Sequence, residues 1–248
     1  MRMNLVIDIG NSHIKLATFN GKGDLVENFR KEKSAFPEII SLIEKIPAQK
    51  AIISAVGRLD PEYREIFTTS FHELVFLEKN TPLPVKVLYK SPETLGLDRI
   101  AAAAGAHRIF PGFYVLIIDM GTAITIDLLT PRGEFLGGNI SPGMHTRFRA
   151  LHDFTTKLPM VAPDNTFPEF GTDTRTAIVA GVQQGIIHEI DRYTDAYEQQ
   201  YPGCKFIITG GDCGFFVSRL KRSIFAKPEL VLTGLNTILE FNTSRKKQ

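Results

Sequence analysis

Two short stretches of the chain end an apolar run in an aspartate and follow it with glycine and small residues. They are Val6-Ile-Asp-Ile-Gly-Asn-Ser-His-Ile-Lys15 and Ile117-Ile-Asp-Met-Gly-Thr-Ala-Ile-Thr-Ile-Asp127. A strand ending this way puts a carboxylate beside a tight hairpin whose backbone N–H groups and hydroxyls can hold phosphate oxygens. Asp8 is suited to a hydrated metal ion bound to ATP, because Mg2+ keeps several waters and needs only one or two carboxylates beside phosphate. Gly10, Asn11, Ser12 and Lys15 would then surround the phosphates. One copy alone also reads as an ordinary β-turn in which Asp and Gly satisfy local geometry. Two copies at corresponding places favour a shared task.

Three further stretches carry polar chemistry. Gly96-Leu-Asp-Arg99 offers a carboxylate able to accept a proton and a guanidinium able to clamp a polar acceptor through two hydrogen bonds. It reads equally as a helix start, with Asp98 as cap and Arg99 in a surface ion pair. Thr209-Gly-Gly-Asp212 follows the strand KFII, where paired glycines let the backbone approach a flat ligand, or where a plain strand-to-helix turn is capped by Asp212. The run GGNISPG before His145 either contacts ligand or turns a structural corner. No G-x-x-x-x-G-K-[ST] and no strand-borne G-x-G-x-x-G occurs, which excludes a P-loop and argues against a dinucleotide fold or a protein kinase. The six histidines form no zinc pattern, and Cys204 and Cys213 stand alone as reduced core or loop residues.

These residues need elements to carry them. A meander of three strands opens the chain. The helical spacing of PEIISLIEKI, the buried strand KAIISAV, the proline-led helix DPEYREIFTTSF and the segment ELVFLE follow. The punctuated loop YKSPETLGLDR then leads into an alanine-rich helix, IAAAAGAHRIF. From Tyr114 the plan repeats with strands YVLIIDM, ITIDLLT and EFLGGNIS and the helix MHTRFRALHDF. A long helix follows from about Thr174 to Gln200, with Ile178, Val182, Ile186, Ile187 and Ile190 in one stripe that fits either core or interface. KFIITGG, a short helix near Phe215, a strand LVLTG and a last helix complete the second half. Two matching hairpins suggest duplication, with residues 1–113 and 114–248 as the halves. Phe148, Phe154, Phe167 and Phe170 fit core, dimer surface or lid, core being the commoner answer.

Composition narrows the partners. A chain of 248 residues, 43% hydrophobic, can bury roughly three quarters of its unfolded surface. Its net charge of +2 is concentrated nowhere except Arg245-Lys-Lys247, so nucleic acid is a poor default partner. No run reaches the length of a membrane span, and the first apolar run is too short for a signal segment; a cytoplasmic protein is expected.

Taken in order, Asp-x-Gly-Asn-Ser, Gly-x-Asp-Arg, Asp-x-Gly-Thr-Ala, Gly-Gly-x-Ile-x-Pro-Gly and Thr-Gly-Gly-Asp resemble the type III pantothenate kinases. These belong to the acetate and sugar kinase, Hsc70 and actin superfamily. The resemblance runs from Val6 to about Asn236. It implies a duplicated ribonuclease-H-like, actin-like ATPase α/β fold of two similar domains with a cleft between them. The implied reaction is ATP-dependent phosphorylation of pantothenate, the first step of coenzyme A synthesis, by a homodimer that uses Mg2+ with ATP and a monovalent cation, K+ or NH4+. By the same resemblance Asp8, Ile9, Gly10, Asn11, Ser12, His13, Ile14, Lys15 and Thr122 hold ATP, and Asp119 holds K+. Tyr89, Gly96, Leu97, Asp98, Arg99 and Thr174 hold pantothenate, with Asp98 as proton acceptor. Ser12 stands where threonine is more usual and keeps the hydroxyl; FGTDT stands where Asn-Thr is commoner before the long helix. A kinase of another small hydroxylated substrate and a non-catalytic nucleotide-binding regulator are the competing readings.

Overall fold

The computed structural model describes residues 3–10, 13–43, 45–57 and 59–245, without the side chain of Phe36. Two compact units emerge, Met1–Ile109 joined by Leu230–Gln248, and Phe110–Glu229. The first contains β1 (Met3–Ile9), β2 (His13–Phe19), β3 (Leu25–Glu32), α1 (Phe36–Ile43), β4 (Ala48–Ala55), α2 (Pro61–Ser70), β5 (Glu73–Phe76), the two-residue β6 (Lys86–Val87) and α3 (Leu97–Ile109). The second contains β7 (Val115–Met120), β8 (Ala123–Leu129), β9 (Glu134–Pro142), α4 (Met144–Asp153), α5 (Thr174–Gln200), β10 (Lys205–Thr209), α6 (Cys213–Val217) and β11 (Phe225–Ala226). The last helix, α7 (Leu230–Arg245), returns to the first unit, whereas a division at 113/114 would leave it with the second.

The duplication is visible in strand order. In the first unit it is β3-β2-β1-β4-β5, with β1 antiparallel to β2 and parallel to β4. In the second it is β9-β8-β7-β10-β11, with β7 antiparallel to β8 and parallel to β10. Strand for strand the two orders are the same, as a duplicated ribonuclease-H-like fold requires.

In the first unit β1 and β4 are covered on both faces, which is why they read as nearly unbroken apolar runs. Leu5, Ile7 and Ile9 pack with Ile14, Leu16, Ile53 and Phe67 on one face. Toward the other, Asn4 Nδ2 donates to Asn236 Oδ1 at 2.8 Å and Lys50 Nζ to Thr243 Oγ1 at 2.8 Å, tying β1 and β4 to α7. Helices α3 and α7 meet almost backbone to backbone. A Cβ on Gly234 would lie 1.7 Å from the Ala101 carbonyl oxygen, and one on Gly105 would lie 2.7 Å from that of Leu230. The alanines and Gly105 of α3 and Gly234 of α7 permit that approach.

The segment LVLTG, expected as a strand, is the first turn of α7, with Leu230, Val231 and Leu232 buried. A short run that is apolar on all sides has no period to separate helix from strand. Helix α2 starts as its sequence dictates, with Pro61 in the first turn and the Asp60 carboxylate accepting from Glu62 N at 3.0 Å.

In the second unit the α5 stripe of Ile178, Val182, Ile186, Ile187 and Ile190 is core, packed with Leu116, Ile118 and Phe148. Phe167 stacks on Phe215 at the core edge, but Phe154 and Phe170 are 87% and 86% exposed. Both cysteines are buried free thiols, and burial pushes Cys204 up to about 11. No helix among the described residues is long and apolar enough to cross a membrane.

Candidate functional site

In the first unit the polar groups gather at the C-terminal end of β1. The order β2-β1-β4 sets three side chains abreast, because Asp8 stands opposite Lys15 on one neighbour and opposite Ser54 on the other. Ser54, buried near the end of β4, lies beside Asp8 in that register. Burial raises the Asp8 carboxyl above its ordinary value, Lys15 draws it back down, the charge of Asp98 pushes it up again, and the Ser54 hydroxyl lowers it. Asp98 thus lies near enough to Asp8 for the two charges to feel each other.

Asp98 occupies the first turn of α3, which begins at Leu97, earlier than the alanine run indicates. Its carboxylate is exposed, and Oδ1 accepts from the backbone N–H of Arg99 at 2.9 Å. Gly96 leaves it room, since a Cβ there would sit 2.4 Å from Oδ1. Arg99 is not the surface residue of the capped-helix reading. It is buried, with its guanidinium 5.5 Å from the Tyr89 ring centroid, a cation over an aromatic face. The structure therefore brings Asp8, Lys15, Tyr89, Gly96, Asp98 and Arg99 into one unit.

Other expected residues contribute differently. Ile9 and Ile14 are core, so only their backbone can meet a ligand, and Leu97 lines a cavity with Val85, Val87 and Ile100. His13 is engaged by Arg30, whose Nη2 lies 3.3 Å from Nδ1. Gly10 closes the hairpin by donating to His13 O at 2.9 Å. Asn11 and Ser12 lie outside the described residues.

The second hairpin is the same device with different neighbours. Opposite Asp119 stand Thr125 on β8 and Thr209 on β10, where Asp8 has lysine and serine. Gly121 donates to Ala123 O at 3.2 Å, and Thr122 at the tip is exposed. The Thr122 carbonyl accepts from Gly143 N at 2.9 Å and Thr146 Oγ1 at 2.7 Å, so the GGNISPG corner docks the start of α4 against the hairpin. Glycines surround Asp119: a Cβ would lie 2.5 Å from its Oδ1 on Gly210 and 3.2 Å on Gly121. Gly210 has φ +92°, a left-handed conformation natural to glycine. Asp212 stands at the start of α6 without capping it, its carboxylate 3.7 Å from His145 Nε2. Thr174 is the first residue of α5, exposed, beside a capping box made by Asp173 and Thr176.

The sequence reading missed Ser54 and the pair of His145 and Asp212. The signal for Ser54 was one hydroxyl inside KAIISAV; for His145 there was none.

The family model for type III pantothenate kinase matches residues 4–196. The chain belongs to the type III pantothenate kinase family. A type III pantothenate kinase of Phocaeicola vulgatus is 44% identical over 240 residues, 97% of this chain and 99% of that one. One from Porphyromonas gingivalis is 40% identical over 245 residues, 98% and 100% of the two chains. Among solved structures, a Campylobacter jejuni protein described as a Baf-family transcriptional activator aligns with a TM-score of 0.65 at 24% identity, over 97% of this chain and 99% of that one. A Streptomyces griseus ROK-family glucokinase, solved with glucose and AMPPNP, aligns with a TM-score of 0.51 at 12% identity, over 98% and 99%. At such identities the likeness is one of fold, and it places this type III pantothenate kinase chain on the actin-like kinase architecture.

Proposed function

We infer that the protein transfers the γ-phosphoryl group of ATP to the primary hydroxyl of pantothenate, giving 4'-phosphopantothenate at the entry to coenzyme A synthesis. The observation that carries the reading, beyond family membership, is the exposed Asp98 carboxylate beside the Asp8 hairpin within one unit.

Phosphoryl transfer asks mainly for positioning and charge neutralisation, together with one group to take the hydroxyl proton. Asp98 takes that proton on a carboxylate oxygen as the substrate oxygen attacks phosphorus, and ADP departs. Gly96 keeps the carboxylate in place, and Arg99, held against Tyr89, clamps a polar group of the acceptor. Gly10 and Lys15 of the first hairpin and Thr122 of the second are assigned phosphate contacts, and Thr174 an acceptor contact. One carboxylate, Asp8, set beside a lysine and a hydroxyl, suits an ion that arrives on a nucleotide. Bound with ATP, Mg2+ would neutralise phosphate charge there.

Asp119 faces threonine where Asp8 faces lysine, and its oxygen is cradled by glycines, which supports a monovalent cation, K+ or NH4+, at that carboxylate. A homodimer is supported by large apolar side chains exposed on the second unit, Ile140, Phe154, Met160 and Phe170 among them. The enzyme is assigned to the cytoplasm.

The test is pantothenate phosphorylation by purified protein in K+, NH4+ and Na+, for wild type and Asp98→Asn, with sedimentation to read the oligomer. Product that depends on the cation and falls by roughly 100-fold to 10,000-fold in the variant, with ATP still bound, is expected. No product in any cation with ATP still bound would remove pantothenate and bring forward another small hydroxylated acceptor. Equal rates in all three salts would remove the cation site.

A further inference from the structure

The corner Ser141-Pro142-Gly143 joins β9 to α4 and presses directly on the second hairpin. A Cβ on Gly143 would lie 2.1 Å from the Gly121 carbonyl oxygen and 2.7 Å from that of Thr122. A side chain of α4 holds the corner in turn. Arg147 Nε donates to the Pro142 carbonyl at 2.7 Å, and Nη2 donates to Ser141 Oγ at 3.3 Å and to the Glu189 carboxylate of α5. Ser141 Oγ donates to Glu189 Oε1 at 2.7 Å. Donors and acceptors balance: Nη2 has two hydrogens and two acceptors, the hydroxyl donates once and accepts once, and each oxygen of Glu189 takes a bond. The Arg147 and Glu189 side chains are 22% exposed each, so water competes little for these groups.

The first unit treats the matching corner differently. Its β3, the counterpart of β9, pairs with β2 and runs into the Lys33–Ala35 turn, where Lys31 and Glu38 stand 3.8 Å apart with side chains 50% and 72% exposed. An exposed pair of that length contributes little. In the second unit a partly buried arginine is directed at the two residues that precede Gly143, through the backbone of one and the hydroxyl of the other.

We propose that Arg147, oriented by Glu189, is a positioning residue for nucleotide binding: it clamps the corner 141–143 against the second hairpin and so sets Thr122 for its phosphate contact. The proposal rests on the reading of that hairpin as a phosphate holder. Strand pairing fixes the arms of a hairpin and leaves its apex to other contacts. Here the apex carbonyl of Thr122 is bound by Gly143 N and Thr146 Oγ1, and both move with the corner. Glu189 supplies the orientation, because its two oxygens hold the guanidinium and the Ser141 hydroxyl together. Lysine is no substitute for Arg147, since an ammonium lacks the planar fork that reaches carbonyl, hydroxyl and carboxylate at once.

The experiment compares wild type, Arg147→Lys, Glu189→Gln and the double variant. ATP affinity is measured by calorimetry in Mg2+, beside KM for pantothenate and thermal melting, with all binding and rates taken well below the lowest melting temperature. Arg147→Lys, which keeps the positive charge, is expected to lose about ten-fold in ATP affinity, the effect of a lost bond to a charged group, while KM for pantothenate stays within about two-fold. Glu189→Gln is expected to lose about three-fold in the same sense, and the double variant to be no weaker than Arg147→Lys, as for two residues acting through one corner. Affinity of Arg147→Lys within about two-fold of wild type overturns the proposal, since a bond to a charged group is worth more. An unchanged Glu189→Gln beside a weakened Arg147→Lys overturns it too, because Arg147 would then meet the phosphates itself. Equal losses for ATP and pantothenate also overturn it, being the mark of a generally damaged unit. Should Arg147→Lys not fold, Ser141→Ala, which removes the hydroxyl alone, is expected to weaken ATP about three-fold, and wild-type affinity there overturns the proposal. If wild type binds ATP but fails to phosphorylate pantothenate, the acceptor reading falls while the ATP arms still decide the role of Arg147.

Discussion

Asp8 illustrates how a single residue can be costly to keep. Burial and the nearby Asp98 charge raise its carboxyl, while Lys15 and Ser54 offset only part of that. The sign of the consequence follows from linkage. A carboxyl whose folded value is raised is at no disadvantage below its unfolded value of 3.8, and it weakens the fold as pH rises through the folded value. Ligand-free Asp8→Asn is therefore expected to match wild type in acid and to become the more stable protein toward neutrality, while losing activity. Thermal melts from pH 3.5 to 7 check this, and a gap that does not change with pH would contradict it. At this scale the Asp-x-Gly motifs were legible as hairpins, and both join antiparallel strands, β1 to β2 and β7 to β8. Ser54 escaped because nothing in a linear run tells which residue of another strand will lie beside it. The burial of Arg99 against Tyr89 was not legible, since helix starts are commonly exposed.

At the scale of elements, the close contact between α3 and α7 at Ala101, Gly105 and Gly234 fixes α3, the helix that carries Asp98. Gly234→Ala would drive a methyl into the Ala101 carbonyl, with no flexible side chain available to yield. A loss of about 3 kcal/mol, at the upper end of the usual cost of overpacking, is expected in urea unfolding. Whatever protein remains folded should lose kcat more than ATP affinity, because the displaced helix carries Asp98, the proposed proton acceptor, and not the hairpin. Near wild-type stability would show that the helices can separate. Most elements were readable from periodicity: the opening meander, the proline-led α2 and the long α5 all lie where their patterns place them. The nature of LVLTG was not, because burial of Leu230 to Leu232 leaves no period to separate helix from strand.

At the scale of the whole molecule, duplication was legible because the two hairpins share a motif, and strand order bears it out copy for copy. The final helix was assigned to the wrong half, since proximity along the chain is the only guide before structure and α7 departs from it. A chain ending at Glu229 is expected to leave the first unit without its covering helix, exposing β1 and α3, while Phe110–Glu229 keeps its own core of β7, β8, β10 and α5. Limited proteolysis of that truncated protein should digest the first unit and spare the second; equal resistance of both would show that α7 is dispensable. The same return of α7 reaches into biosynthesis. A ribosome releases β1 to α3 first, but the helix that covers them follows the entire second unit, so the half-finished sheet must wait, one apolar face bare, while that unit is translated. Of the two units, the one whose strands are made first is thus the one completed second, and the interval is set by translation speed and not by its own folding rate.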